Sequence, residues 1–201
     1  MSFHTGLPSN YGEIHAGFYN GEGYSKSEAN DQKAFQVRAT VRPMATSSSL
    51  AARGLRVTIF YDADHYLQNA ERRRLVANAT FEHARFNTGF DYYGGKDQIS
   101  VNASDVESKG WSFWITPFVK EKGNGLEGLL RIDRFKPNST TLDSQRKQRI
   151  IAGIAYWFPH PGGAGTAALL LDFEQVTFDG FPSTAANAQQ QKIALHGLIS
   201  F

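Results

Sequence analysis

Apolar and polar residues alternate along most of this chain with a period of two, not with the period of a helix. In residues 33–42, apolar side chains occupy every second position from Phe35 to Val41, and polar ones stand between them. Successive side chains of a strand point to opposite faces, so this pattern predicts a β-strand with one apolar and one polar face. The pattern recurs in residues 11–19, 33–42, 55–61, 74–82, 85–92, 111–119, 126–135, 148–158, 168–178 and 191–201.

The length of these segments indicates which kind of sheet they form. Most have about 8 to 11 residues, the length that a tilted strand needs to cross a bilayer, whereas strands of soluble domains average about five or six. Helical periodicity is confined to residues 66–77, where a turn or two of helix is predicted. Pro117 lies inside the sixth segment and predicts a bulge or an early strand end there. The chain, residues 1–201, is therefore predicted to be a single all-β domain.

The connections between the segments alternate in length. Long polar connections follow the odd-numbered segments (residues 20–32, 62–73, 94–109, 136–147 and 179–190), and shorter ones follow the even-numbered segments. An antiparallel order places every long loop at one edge of the sheet. Aromatic residues gather towards both edges: Tyr19, Tyr61, Tyr92, Trp111, Phe135 and Phe178 at the long-loop edge, and Tyr11, Phe81, Phe86, Phe118, Phe158 and Phe201 at the other. Both features are typical of outer-membrane barrels, so an antiparallel transmembrane β-barrel is predicted.

The last segment ends on an aromatic residue. Residues 191–201 place Ile193, Leu195, Ile199 and Phe201 on one side of a strand. The last residues of a soluble domain are usually frayed, whereas an amphipathic strand that ends on an aromatic residue is typical of bacterial outer-membrane barrels. Phe201 is therefore the predicted signal through which the outer-membrane assembly machinery recognises the C-terminal strand.

Composition excludes some classes of protein. Lysine and arginine number 21 against 19 aspartate and glutamate, and the net charge of +2 argues against a general nucleic-acid binder. Without cysteine there is neither a disulfide framework nor a thiolate metal site. Residues 1–10 have neither the basic start nor the apolar stretch of a secretory signal. An exported protein with this sequence is expected to be a fragment that lacks its native N-terminal part.

Several stretches resemble the phosphate-selective porin O and P family of bacterial outer-membrane porins. They are YGEIHAGFYNGEGY (11–24), GLRVTIFYD (54–62), TFEH (80–83), LRIDRF (130–135), IAGIAYWF (151–158), LDF (171–173) and the final strand. The likeness covers nearly the whole chain in the family's order. It implies a sixteen-stranded homotrimeric barrel in the outer-membrane lipid, around a water-filled, anion-preferring pore for small anionic or polar solutes. This chain corresponds to about ten C-terminal strands, without the inward-folded third loop that narrows such pores.

Arginines on the polar faces are the candidates for an anion path. Guanidinium stays charged at any working pH, and its forked donors match phosphate and carboxylate geometry. The predicted pore-lining residues are Arg38, Arg42, Arg56, Arg74, Arg131 and Arg149, and Arg72 and Arg73 are predicted to gather anions at the external mouth. The alternative is that these arginines pair with carboxylates such as Glu82, Asp133, Asp172 and Glu174 and only stiffen the wall. The near-zero net charge favours weak selectivity.

Two other classes of protein remain as alternatives. A soluble β-sandwich could bind carbohydrate by stacking sugar rings on Trp111, Trp114 and Trp157. It would need polar outward faces, and positions such as Leu169 and Leu171 are apolar. An enzyme is not predicted, because no nucleophile, base and orienting group stand out. No spacing of histidines or carboxylates indicates a metal site, and no cofactor is predicted.

Overall fold

The computed structural model describes residues 1–20, 31–48, 54–120, 122–159, 166–184 and 188–200. These residues form a single eleven-stranded antiparallel sheet and one short 3-10 turn. The strands are β1 (Ser2–Leu7), β2 (Gly12–Asn20), β3 (Lys33–Val41), β4 (Leu55–Leu67), β5 (Ala70–His83), β6 (Phe86–Asp97), β7 (Val106–Pro117), β8 (Gly125–Lys136), β9 (Arg146–Trp157), β10 (Thr166–Asp179) and β11 (Gln190–Ser200). No helix in the described part of the chain is long and apolar enough to cross a bilayer.

The order of strands in the sheet is the order along the chain, and each strand pairs antiparallel with its neighbour. The all-β antiparallel class and the ten predicted strands are thereby confirmed. The sheet is open in the described residues, because β1 pairs with β2, β11 pairs with β10, and no pairing joins β1 to β11. β7 ends at Pro117, as predicted from the missing backbone donor of proline.

One strand escaped the sequence analysis. β1 pairs antiparallel with β2, so that Leu7 lies opposite Gly12 at one end and Ser2 lies opposite Gly17 at the other. The chain reverses in the 3-10 turn Pro8–Asn10, where Ser9 and Asn10 have φ of 53° and 59°. Asparagine tolerates the left-handed region better than most residues, and proline fixes the entry into the turn. β1 has only six residues, too few for its alternation to stand out.

The predicted helix at residues 66–77 and the predicted long polar loop at 62–73 are both wrong. β4 and β5 continue as a hairpin in which Asp62 lies opposite Arg74 and Leu67 lies opposite Ala70. The turn is tight, and Asn69 takes the left-handed conformation with φ of 63°. The charged residues that suggested a loop are instead cross-strand partners, so opposite charges stabilise the extension of the strands.

The register of the sheet gathers the alternating residues of all strands onto two surfaces. Phe113 lies opposite Ile132, which lies opposite Ile150 on the next strand. We call this surface the apolar face, and the opposite surface the polar face. The apolar face includes Ile14 and Ala16 of β2, Val37 and Ala39 of β3, Val57 and Ile59 of β4, Ala77 and Ala79 of β5, Phe90 of β6, Leu130 of β8, Ala152 and Ile154 of β9, Leu171 and Phe173 of β10, and Ile193 and Leu195 of β11.

No second layer covers the apolar face in the described residues. Among the described residues, substantial contacts join only strands that are neighbours in the sheet, and no large side chain is completely buried. Ile59, Leu169 and Ile193 are 51%, 49% and 75% exposed. The accessible surface is 12852 Å², whereas a compact monomer of this mass would have about 9,400 Å². The two packed sheets of the sandwich alternative are thus not formed in this part of the chain.

Gly89 on the polar face provides a test of the packing in the sheet. A Cβ at Gly89 would lie 2.6 Å from the indole ring of Trp114, whereas one at Gly94 would meet only the Tyr92 ring at 3.7 Å. Gly89→Ala is therefore expected to destabilise the fold by about 1–3 kcal/mol through overpacking. Gly94→Ala, the matched control, should be neutral or slightly stabilising. Urea unfolding followed by tryptophan fluorescence would measure both, and equal midpoints would contradict the placement of Trp114.

Candidate functional site

The polar face carries a series of ion pairs that run across the sheet. Five of the six predicted pore-lining arginines lie on strands of this face, and each has a carboxylate partner. The pairs are Arg38–Glu13 at 2.8 Å, Arg56–Glu82 at 3.3 Å, Arg74–Asp97 at 2.6 Å, Arg131–Asp133 at 2.9 Å and Arg149–Glu174 at 2.8 Å. The alternative of carboxylate pairing therefore describes the geometry of these five arginines, and three of the four expected carboxylates take part.

Arg74 and Asp97 form the best-aligned of these pairs. Nη1 and Nη2 of Arg74 donate to the two carboxylate oxygens of Asp97 at 2.6 and 2.8 Å. Two parallel charge-assisted hydrogen bonds restrict the orientation of both side chains, which are 24% and 35% exposed. The pair links β5 to β6 near the edge where the long loops begin. Arg149 differs, because its Nε is close to Glu174 but is not aligned for a hydrogen bond.

The predicted mouth residues diverge to opposite faces. Arg72 lies on the polar face and pairs with the buried carboxylate of Asp64. Arg73 lies on the apolar face, opposite Ala63 and Lys96, and pairs with Glu71 at 2.5 Å. Adjacent strand residues point to opposite sides of a sheet, so the two side chains cannot act on the same surface.

Two predicted residues lie elsewhere. Arg42 follows β3 at the edge opposite the long loops, where its backbone N–H donates to the Tyr11 carbonyl at 2.7 Å. Its Nε is buried with no hydrogen-bond partner among the described residues. Phe201, the predicted assembly signal, lies outside the described residues.

Several contacts on the polar face were not predicted from the sequence. Asp172 is 2.7 Å from His196 on the neighbouring strand. Asn78 donates to Asp91 at 2.5 Å, and the hydroxyl groups of Thr40 and Thr58 are 3.0 Å apart. All three contacts join residues on adjacent strands, so only the cross-strand register could have identified them. Each of them adds a link between two neighbouring strands on the polar face.

The polar face has no excess of positive charge. In the described strands this face carries more carboxylates than arginines and lysines together. Counter-charges at hydrogen-bond distance cancel most of the field that an unpaired arginine would project into water. This surface can orient water and polar solutes, but it is not an anion trap.

The aromatic residues predicted at the long-loop edge also divide between the faces. Tyr61, Tyr92 and Trp111 lie on the apolar face. Tyr19, Phe135 and Phe178 instead lie on the polar face. Near the Trp111 ring, the guanidinium carbon of Arg134 is 5.7 Å from the centroid. The predicted belt is therefore only partly formed on the apolar face.

A charged loop residue adjoins this edge. Lys136 donates to Asp143 at 2.6 Å, and this hydrogen bond holds the pKa of the Asp143 carboxyl below its ordinary value, with Lys109 and Arg146 lowering it further. The stabilisation from the pair is therefore present above the ordinary carboxyl pKa and is lost as the pH falls through the lowered one.

Comparison of the chain with protein-family models, with curated proteins and with solved structures gave no match. Within the described part of the chain, no three histidine, aspartate or glutamate side chains are placed to bind a metal ion. The assignment of the site therefore depends on the geometry of the two faces.

The ion pairs can be ranked by double-mutant cycles. Arg74→Gln with Asp97→Asn should give a coupling energy of about 1 kcal/mol or more, because the pair is bidentate and partly buried. Arg38→Gln with Glu13→Gln is the matched control. There the coupling should be about 0.5 kcal/mol or less, since both side chains are more exposed, at 48% and 40%. Free energies of unfolding in detergent would measure the two cycles, and the reverse order would contradict the geometry.

Proposed function

We propose that this sheet is part of an outer-membrane β-barrel porin that forms a water-filled channel for passive diffusion of small hydrophilic solutes. The observation that carries the proposal is the division of the sheet into an uncovered apolar face and an ion-paired polar face. Monomeric soluble proteins rarely expose apolar patches larger than a few hundred Å², and the apolar face here extends across all eleven strands. Acyl chains of a bilayer would cover it without any second protein layer.

The lengths of the strands support this proposal. β2 to β11 have 9 to 14 residues, and about 9 to 11 tilted residues cross the hydrocarbon of a bilayer. β4 and β5, with 13 and 14 residues, exceed that length and are joined by a tight turn at Asn69.

Closure is the further requirement of the proposal. In lipid, each unpaired backbone group costs several kcal/mol, so a sheet can span the membrane only when it is closed. The free edges of β1 and β11 must therefore pair with each other or with additional strands. The resemblance to the phosphate-selective porin O and P family implies the second case, within a sixteen-stranded trimeric barrel.

The polar face would line the channel in this arrangement. Each of the five predicted pore-lining arginines on its strands already faces a carboxylate. The family resemblance implies an anion preference, and because these arginines are paired we expect that preference to be weak, with phosphate or other oxyanions passing among other small polar solutes. The channel chemistry would be electrostatic, and no covalent step is required.

Leu170 and Leu171 offer a matched test of the two environments. Leu171 lies on the apolar face opposite Ile154 and Leu195, and Leu170 lies on the polar face opposite Ala155 and His196. Leu171→Lys should cost about 2–4 kcal/mol in a bilayer, because the charge would enter hydrocarbon. Leu170→Lys should cost about 1 kcal/mol or less, since its ammonium group would reach water. Urea titration of the protein folded into lipid vesicles would measure both, and equal costs would exclude a lipid-facing Leu171.

Conductance in a planar bilayer tests the channel itself. The chain refolded in detergent should give discrete current steps, and a salt gradient should displace the reversal potential slightly towards the equilibrium potential of chloride. A displacement towards the equilibrium potential of potassium would overturn the anion preference, but the proposal of a pore would stand. Absence of steps from a protein that needs detergent would mean that these strands alone do not close. Absence of steps from a protein that stays in aqueous solution would exclude the porin.

A further inference from the structure

A cluster of cations lies at the long-loop edge of the apolar face, around a cavity of about 270 Å³. We call it the cationic cluster; it consists of Lys109, Arg134, Lys136 and Arg146, with Tyr92 and Trp111 beside them. The register of the sheet assigns all four cationic side chains to the apolar face, on β7, β8 and β9. They are therefore separate from the arginines of the polar face.

The arrangement brings like charges together. Lys109 lies directly opposite Lys136 across the β7–β8 ladder, and like charges in that position destabilise a sheet. Arg134 lies over the Trp111 ring, and its Nε donates to Gln148 at 3.1 Å. These contacts orient the guanidinium group but leave its charge uncompensated.

Carboxylates compensate only part of this charge. Asp143 accepts a hydrogen bond from Lys136, and Asp179 lies opposite Arg146 in the sheet without an ion pair to it. In the described part of the chain, neither Lys109 nor Arg146 has a carboxylate within 4 Å. An excess of positive charge therefore remains at the cavity, and an anion bound there would stabilise the sheet.

The position of the cavity indicates the kind of anion. Along the same face, Trp111 is followed by Phe113, and Arg134 is preceded by Ile132, so apolar surface begins directly beside the cations. At the opposite edge, the apolar face carries only uncharged strand residues, such as Leu55, Phe81 and Leu126, in the described part of the chain. A ligand that fits both the cations and the adjoining apolar surface has an anionic head and an apolar tail.

We propose that the cationic cluster binds the phosphate groups of an anionic lipid headgroup, whose acyl chains lie along the apolar face. Clusters of lysine and arginine next to membrane-embedded surface are a known means of anionic-lipid recognition. The excess charge favours a headgroup with more than one phosphate over a headgroup with a single phosphate. This inference rests on the proposed membrane location, and it adds a ligand class and a site outside the pore.

Native mass spectrometry of the protein in detergent micelles tests the proposal, with diphosphoryl lipid A as the probe. Monophosphoryl lipid A and phosphatidylcholine are the lipid controls, and inorganic pyrophosphate is the control for phosphate without a lipid. Diphosphoryl lipid A should bind best, and Arg146→Gln should weaken it about fivefold. Lys147→Gln is the matched control, because Lys147 is the neighbouring cation on the polar face, over the Phe178 ring, and should leave binding unchanged.

Each other result would overturn the proposal in a defined way. Equal binding of all three lipids would mean that the apolar face binds acyl chains alone. Equal binding of pyrophosphate would mean a phosphate site that does not require a lipid. Equal weakening by Arg146→Gln and Lys147→Gln would exclude the cationic cluster. If the protein conducts in bilayers but shows one of these results, only this inference fails, whereas a protein that stays in water without detergent overturns both proposals.

Discussion

The pairing of consecutive strands in one fixed register is the constraint on which the rest of this structure depends. Side chains alternate with a period of two, so a slip of one residue would move every apolar side chain of a strand to the polar face. The register also decides which charges meet. Arg149 reaches Glu174 because the register places Arg149 opposite Val176 and Glu174 opposite Ile151, on the same face. A shift of one residue would place carboxylates among apolar side chains. The ion pairs and the apolar face therefore specify the same alignment.

The energetics of the sheet differ from those of a soluble domain because hydrophobic burial within the chain is small. The buried apolar residues are mostly alanines, such as Ala34, Ala70 and Ala168, together with Phe118 and Val176. Burial of apolar surface is the dominant favourable contribution to folding in water, and a single sheet provides little of it. Ladder hydrogen bonds and cross-strand pairs alone leave a two-stranded hairpin marginal, and a larger sheet also depends on its hydrophobic face. An external apolar phase, or a partner that covers the apolar face, is thus part of what makes this fold stable.

The sequence was sufficient for the strands because alternation is a local property. Ten strands were found, and Pro117 marked the end of β7. The failures occurred where polarity was interpreted as a loop, as at Asp62 and Arg72, since a charged residue in a strand becomes favourable only with a partner across the ladder. The register between two strands decides which partner a charged residue meets, and the sequence of one strand alone does not show that register. For the same reason, Asp97 was not predicted as the partner of Arg74. The opposite orientation of Arg73 was missed because residues 62–73 were interpreted as a loop.

Charge is distributed differently on the two faces, and the difference has a physical meaning. On the polar face, arginines and carboxylates are paired at short distance, which holds the side chains in place and limits the field that they project. At the long-loop edge of the apolar face, Lys109 and Lys136 lie opposite each other, and of the two only Lys136 has an ion pair in the described residues, with Asp143. Water screens an excess of charge well, but screening weakens beside apolar surface. An excess of cations beside apolar surface is therefore costly unless an anion is bound there, and this links the charge of that edge to the uncovered apolar face.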